Sequence, residues 1–486
     1  MPSSWANFGI DLHLELASQR SVDGRRVRVG LETALREAVR SGRLGPGTKL
    51  PPSRGLAADL GIARNTVAEA YAQLIAEGWL TARTGAGTWV ADRPAVAPSP
   101  PQLPTLGFAP ASAAVPDPVG AARFDLTAGV PSVAMFPRAQ WLSAARAALQ
   151  AAPDYVLGYP DPRGLPELRT ALAGYLARAR GVITNPDRIV ICAGFAHGLA
   201  MIASALASRG ATTIAVEGYG RLAHRQLITA HGLRAEPLPI DDLGARPAPS
   251  ALDGASAVAL TPAHQFPLGM TLAPQRRAAF TGWAAQTGGV LIEDDYDGEF
   301  RYDRQPTGAL QALAPEHVIY AGTASKSLAP GLRLGWLAAP AALIDDLVAA
   351  KARFGAENGL PDQLALARLI NSGGYDRQIR LARLAYRRRR DQLIAALSRQ
   401  VPDVHLTGIA AGLHAVATLP ATSNESAAIA RAAAHGVAVD GLASYATTAH
   451  TTGPALVIGY SRPAAHAYTT AITRLCAALA ESGRPG

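Results

Sequence analysis

The sequence predicts an α/β body built on a mostly parallel sheet, preceded by a small amino-terminal arm of helix, tight turn, helix and β-hairpin. Three observations carry this. From about residue 124 onward, helical and strand-like stretches alternate, as in strands joined through helical crossovers. Before residue 92, helical periodicity is broken at glycines and then gives way to two short strand-like runs. Between the two parts, residues 93–123 are dense in Pro, Ala and Ser and follow neither period, which reads as an extended spacer. The expected domains are 1–92, a linker over 93–123, and 124–486.

The composition agrees with a folded, multi-domain chain. It has 486 residues, of which 49% are hydrophobic and 17% charged, so disorder is excluded and a large core is affordable in surface terms. No apolar run reaches the roughly 18 residues a membrane span needs. Asp11, His13 and Glu15 interrupt the stretch where a secretory leader would be apolar. Cys192 and Cys476 are too few for a disulfide framework, and no Cys/His spacing resembles a zinc site. A cytoplasmic protein is expected. The net charge of +9 is compatible with a polyanionic partner but decides little over this length. Lys49, Lys326 and Lys351 are the only lysines. Arginine can replace lysine in a surface pair but cannot offer a free amine to an aldehyde, so each remaining lysine calls for scrutiny.

In the arm, Leu31, Leu35, Ala38 and Val39 recur at helical spacing over 29–41, and Gly45-Pro46-Gly47 breaks the chain. Ser53 is placed to cap a short helix bearing Leu56, Ala57 and Leu60. Gly61 turns the chain into a helix over 63–77, with Val67, Ala70, Tyr71, Leu74 and Ile75 on one stripe. Strands over 79–82 and 88–90 flank Gly85-Ala86-Gly87. That order is the winged helix-turn-helix pattern, in which Arg64, Asn65 and Thr66 at the start of the second helix are left facing outward. Arg and Asn can contact base edges bidentately, and Thr can reach a phosphate or a methyl group. The words LPPSRGLAADLGIARNTVAEAYAQLIAEGWLTARTGAGTWV resemble the GntR family of bacterial regulators over about 29–90. The resemblance implies that Arg54, Arg64, Asn65 and Thr66 face double-stranded operator DNA and that Gly85 and Gly87 shape the wing.

In the body, helices are expected over 165–178, 197–207 and 375–396, and strands over 188–192, 213–216 and 289–293. The run Arg387–Arg390 on the long helix reads as a solvated face. Three words carry chemistry. In GVLIEDDYDGEFRY (289–302), an apolar strand delivers carboxylates and a Tyr to its carboxyl end, where open α/β sheets place ligands. Taken alone, EDDYD fits a metal site or a solvated loop equally well. In YAGTASKSLAPGLRLGWLAAP (320–340), Lys326 sits among Thr323, Ser325 and Ser327, seven residues before Arg333, a set equipped to hold a phosphate and attack a carbonyl. In ICAGFAHGLAMIASAL (191–206), a strand, a Gly turn and a helix start make an anion seat from backbone N–H groups. One ligand uses all three words: pyridoxal 5′-phosphate (PLP), whose aldehyde, phosphate and pyridine nitrogen need an amine, an anion seat and a carboxylate. No GxxxxGK[ST] is present to support a nucleotide P-loop instead.

These words, with FDLTAGVPSVAMFP, YPDPRGLPELR and RGVITNPDRIVICAGFAHGL, resemble the fold-type I PLP-dependent transferases, and more closely the MocR subfamily of GntR regulators, over about 124–479. The resemblance implies Lys326 as the Schiff-base lysine and Asp294, in preference to Asp295, at the pyridine nitrogen. It sets Tyr296 at the phenolic oxygen and Tyr219 against the ring. Gly194, Phe195, Ala196, Thr323, Ser325 and Arg333 would surround the phosphate. Tyr159 would reach the partner subunit's phosphate in a homodimer, and Arg221 would meet an effector carboxylate. Two departures stand out. Phe266 replaces the Asn that aminotransferases offer to the cofactor, and Val457 replaces the Arg that clamps a substrate carboxylate, unless the alignment slips and Arg462 turns inward. A PLP-dependent transcriptional regulator is therefore expected, sensing an amine, an amino acid or PLP itself rather than turning substrate over. A working aminotransferase with an accessory DNA-binding arm is the alternative.

Overall fold

In the computed structural model the described residues are 24–83, 87–91, 124–302, 307–355, 358–447 and 453–481. The linker expected over 93–123 and the wing residue Gly85 lie outside them. The chain divides into an arm within Met1–Pro110 and a body within Ala111–Gly486.

The arm contains α1 (Gly24–Arg40), β1 (Lys49–Leu50), α2 (Ser53–Leu60), α3 (Arg64–Ala76), β2 (Leu80–Arg83) and β3 (Gly87–Val90). Its core gathers Leu31, Leu35, Leu56, Val67, Leu74 and Val90, all buried, so one apolar stripe per helix closes it. Gly61 ends α2 in the left-handed conformation, φ 65°, which costs a glycine little. Arg36 grips Glu77 through two bonds of 2.8 Å, tying α1 to the end of α3 and holding the Glu77 carboxyl down at about 2. Two expectations need correcting. Ser53 is the first helical residue rather than the cap. Pro52 holds the cap position and no side chain caps the helix, because proline's fixed φ already suits a helix start. The wing is also three-stranded, in the order β1-β3-β2, since Lys49 and Leu50 pair with Trp89 and Thr88.

The body is organised on seven strands: β4 (Ile189–Cys192), β5 (Thr213–Glu217), β6 (Arg234–Leu238), β7 (Ala257–Leu260), β8 (Val290–Asp294), β9 (Val318–Thr323) and β10 (Gly335–Ala338). They lie in the order β4-β10-β9-β8-β7-β5-β6. All run parallel except β10, which is antiparallel to both neighbours. The central strands are continuous apolar runs because helices cover both faces. Val190, Ile292, Ile319 and Leu337 pack on the side of α4 (Phe195–Ser208) and the helix Ile344–Phe354. Ile189, Ile191, Tyr320 and Trp336 face the helices Pro166–Arg180 and Leu360–Asn371.

A smaller antiparallel sheet follows, made of β11 (His405–Thr407), β12 (His414–Thr418), β13 (Asp440–Gly441) and β14 (Ala455–Gly459) in the order β11-β12-β14-β13. The long helix Gly374–Gln400 and the helix Ala465–Ala480 pack around it. The arginine run on that long helix is not wholly solvated. Arg387 and Arg388 are exposed, but Arg389 is buried, donates to the carbonyls of Tyr460 and Ser461, and lies 5.2 Å from the Tyr468 ring. A cation can be buried there because carbonyls left free by the chain take its N–H groups.

Candidate functional site

The carboxyl ends of the parallel strands converge on one cavity of about 370 Å³. Gly194 follows β4, Tyr219 follows β5, Thr261 follows β7, Asp294 ends β8, and Thr323 ends β9 just before Lys326. Strand direction thus brings residues more than a hundred positions apart to one rim.

At one end of the cavity is an anion seat. Gly194 caps α4 with φ 98°, and the N–H groups of Phe195 and Ala196 belong to the first helical turn, where they have no intrahelical acceptor. A Cβ on Gly194 would stand 3.8 Å from Ser325 Oγ, 3.9 Å from Arg333 Nη1 and 4.0 Å from Thr323 Oγ1. Two hydroxyls and a guanidinium therefore ring a space that a side chain at 194 would fill. The Thr323 hydroxyl donates to Ser325 Oγ at 2.9 Å and accepts from the Ser325 N–H at 3.1 Å, which fixes the turn. Arg333 adopts a left-handed φ of 51°, and Asn358 holds its carbonyl at 2.9 Å.

In the middle of the cavity stand Lys326 and Asp294. Burial lowers the Lys326 ammonium to about 8, assisted by the Arg221 cation, so its free amine is far more accessible near neutrality than that of an ordinary lysine. Its Nζ donates to the Gly129 carbonyl. Burial pushes Asp294 well above the usual carboxylate range, against the pull of Lys326, and its Oδ1 is buried with no hydrogen-bond partner. Asp295 is fully engaged elsewhere, by Arg180 Nε at 2.6 Å and the Tyr320 hydroxyl at 2.7 Å. Of the two neighbouring carboxylates, Asp294 is the one that lines the cavity.

The other end is aromatic and apolar. Tyr219 and Tyr296 line it and are buried. Arg221 lies 5.0 Å from the Phe266 ring and reaches the Ala128 carbonyl at 3.4 Å. Val457 is completely buried in a cluster with Tyr219, Phe266 and Tyr445. Arg462 does not turn inward: it pairs with Asp125 at 2.6 Å and donates to Thr127 Oγ1 at 3.0 Å. Tyr159 stands outside the cavity, fully exposed on the protomer.

Several cavity residues escaped the sequence reading. Glu217 accepts from the Thr261 N–H and from Gln265 Nε2, each at 3.2 Å, and burial raises it to about 7. His224, lowered to about 4 by burial, stacks edge-on against Phe195 at 4.9 Å. The signal for both was positional, since each lies within a few residues of Tyr219. Among the described residues no cluster of His, Cys, Asp and Glu could hold a metal ion, and no helix is long and apolar enough to cross a membrane.

In the arm, Arg54, Arg64 and Asn65 are exposed and Thr66 is half-buried, all at the starts of α2 and α3. Gly87 has φ 124°, and the neighbouring Trp89 ring is flanked by Lys49 and Arg83 at 5.4 and 5.5 Å.

Comparison with known proteins fits both halves. The family model for bacterial regulatory proteins, gntR family, matches residues 28–90, and that for aminotransferase class I and II matches 124–453. The HTH-type pyridoxine biosynthesis transcriptional regulator PdxR of Corynebacterium glutamicum is 33% identical, over 79% of this chain and 82% of its own. The probable rhizopine catabolism regulatory protein MocR of Rhizobium meliloti is 31% identical, over 76% of each. Among solved structures, a kynurenine aminotransferase of Pyrococcus horikoshii in complex with PMP superposes with a TM-score of 0.66 at 25% identity, covering 74% of this chain and 92% of that one. The chain therefore belongs to the MocR group of GntR-family bacterial regulatory proteins, in which a winged helix-turn-helix arm is joined to an aminotransferase class I and II body.

Proposed function

We propose that this protein binds operator DNA through its arm and PLP through its body, and that the state of the PLP site sets its affinity for DNA. One observation carries the cofactor half: a single cavity holds a lysine of lowered proton affinity, a carboxyl with one buried, unpartnered oxygen, and an anion seat lined by hydroxyls and a guanidinium. An isolated buried carboxyl is costly, and a protonated ring nitrogen is the partner it lacks. PLP would supply an aldehyde for an amine and an electron-accepting ring. Lys326 would hold the aldehyde carbon and Asp294 would keep the ring nitrogen protonated. Tyr296 would face the phenolic oxygen, and Tyr219 would cover the ring. Gly194, Phe195, Ala196, Thr323, Ser325 and Arg333 would hold the phosphate. The full exposure of Tyr159 supports its donation to the partner subunit's phosphate in a homodimer.

Among the described residues Arg221 has no carboxylate partner, only a carbonyl and an aromatic face, which supports a role in meeting an effector's acidic group. An amine or amino acid arriving at Lys326 would change the contacts around it, and that difference in binding free energy can shift DNA affinity without turnover. A second reading, in which PLP itself is the effector, is favoured by Val457: an apolar wall stands where a carboxylate clamp would orient an amino acid. A DNA-binding role supports a cytoplasmic location. The test is visible absorbance before and after borohydride, while amines and amino acids are titrated. A band near ~420 nm, fixed to Lys326 by reduction, supports the cofactor reading. A shift by one amine that also alters DNA binding supports effector sensing; PLP uptake with no response to any amine favours PLP as the signal. Repeated turnover with a keto acid would favour a working aminotransferase, and a protein that refuses PLP would sink the cofactor half.

A further inference from the structure

We infer that His264 and Asp297 form a buried positioning pair that holds the Tyr296 hydroxyl in place at the cavity wall, compensating for the amide that Phe266 displaces. The inference rests on the PLP reading above. His264 and Asp297 are 3% and 2% exposed. Asp297 Oδ2 lies 2.9 Å from His264 Nδ1, and the Tyr296 hydroxyl lies 3.0 Å from the same nitrogen. A carboxylate beside Nδ1 fixes the tautomer that carries its proton there. His264 then presents an N–H to both Asp297 and the oxygen of Tyr296. With its oxygen accepting that N–H and the Asp297 carboxylate within its hydrogen-bonding reach, the Tyr296 hydroxyl is held at the cavity wall and can turn its proton inward when an acceptor arrives there.

The surroundings are built to hold this arrangement. Gly412, at φ 76°, lies flat on the pair: a Cβ there would fall 2.6 Å from both Asp297 Oδ2 and His264 Nδ1. The Gly412 carbonyl is itself pinned by the hydroxyls of Tyr302 and Tyr460 at 2.5 and 2.7 Å. His414 backs the imidazole, with ring centroids 5.3 Å apart, and burial drives it down to about 3, so it adds no positive charge. Phe266 meets Tyr296 edge-on at 5.8 Å and His414 at 5.0 Å, closing the cluster with an apolar ring. The charged groups that bear on Tyr296 are Asp297, Asp294 and Glu217. Burial first, and those carboxylates after it, hold the phenol well above its usual range, so it stays a donor. Lys326 and Arg221 bear on His414 from the cavity side.

The test is the pH midpoint of the visible band of the PLP-loaded full-length protein. His264→Leu removes the N–H that orients Tyr296 and is expected to raise the midpoint by about one pH unit, because a phenolate left without its donor holds protons on the linked nitrogen more tightly. His264→Phe, which keeps a ring there without the N–H, should move it the same way and decides the matter if His264→Leu does not fold. His264→Asn, whose amide can present an N–H near the Nδ1 position, should restore most of the original value. In a Tyr296→Phe background, neither His264→Leu nor His264→Phe should add a further shift. An unmoved midpoint in both single variants, or an equal shift with and without Tyr296, would overturn the pair's role while leaving PLP binding intact. Failure of the unsubstituted protein to take up PLP would overturn both readings.

Discussion

The arm and the body handle charge in opposite ways. The arm closes on apolar stripes, with Glu32 the one charged side chain buried among its described residues, and leaves Arg54, Arg64 and Asn65 in water, where cations are cheap to keep and weak until a polyanion arrives. The body takes Lys326, Asp294, Glu217, His264 and Asp297 out of water, where every unmatched group is costly and every matched one is selective. A surface of the first kind suits a long, regular partner read by many contacts. A cavity of the second kind suits one small molecule whose charges answer those of its walls. The two halves can serve one protein because a ligand's differential affinity for two states of the body is available to bias the other half.

The largest expected effect is in the body. Lys326→Ala should abolish the borohydride-stable adduct while leaving the arm's fold intact; an adduct that survives, found by mass spectrometry on another residue, would break the contrast. Next, in the arm, Arg64→Ala should cost about 1–3 kcal/mol in operator affinity and relax specificity, whereas Arg54→Ala should weaken binding evenly and reduce the salt slope by about one. Anisotropy titrations at several salt concentrations separate the two. The smallest effect concerns Glu217, raised from an ordinary 4.5 to about 7. A raised carboxyl contributes stability that is present below its unfolded value and is lost as pH rises through about 7. Glu217→Gln should therefore lose less stability than the parent between about pH 5 and 8, a difference of about 2 °C in Tm. Parallel melting curves would refute the buried, protonated form.

Legibility differed between the halves for the same physical reason. A stripe against one small core is a local signal, so α1, α2 and α3 and the outward Arg64 and Asn65 could be read from spacing. The two-residue β1 could not, because pairing Lys49 with Trp89 leaves no periodicity to detect. In the body, strand ends around VLIED and VIYAGT were visible as apolar runs, and the words beside them located the cavity. What lay beyond reach was long-range: the antiparallel insertion of β10, the small sheet of β11–β14, and the burial of Arg389 under carbonyls contributed more than seventy residues later. The ligands of Tyr296 were hidden likewise. The resemblance to aminotransferases draws attention to Phe266, while His264 two residues earlier gains its meaning from Asp297 and Gly412, which only the fold supplies.

The central claim is that the cavity and the DNA-reading helix are coupled. It is tested most directly by measuring the Kd of the full-length protein for a DNA fragment it selects from a random pool, with and without saturating PLP, at one fixed salt concentration. The account predicts a change of at least about fivefold, absent in Lys326→Ala. Equal affinities with and without PLP, across the amines that alter the visible band, would contradict it.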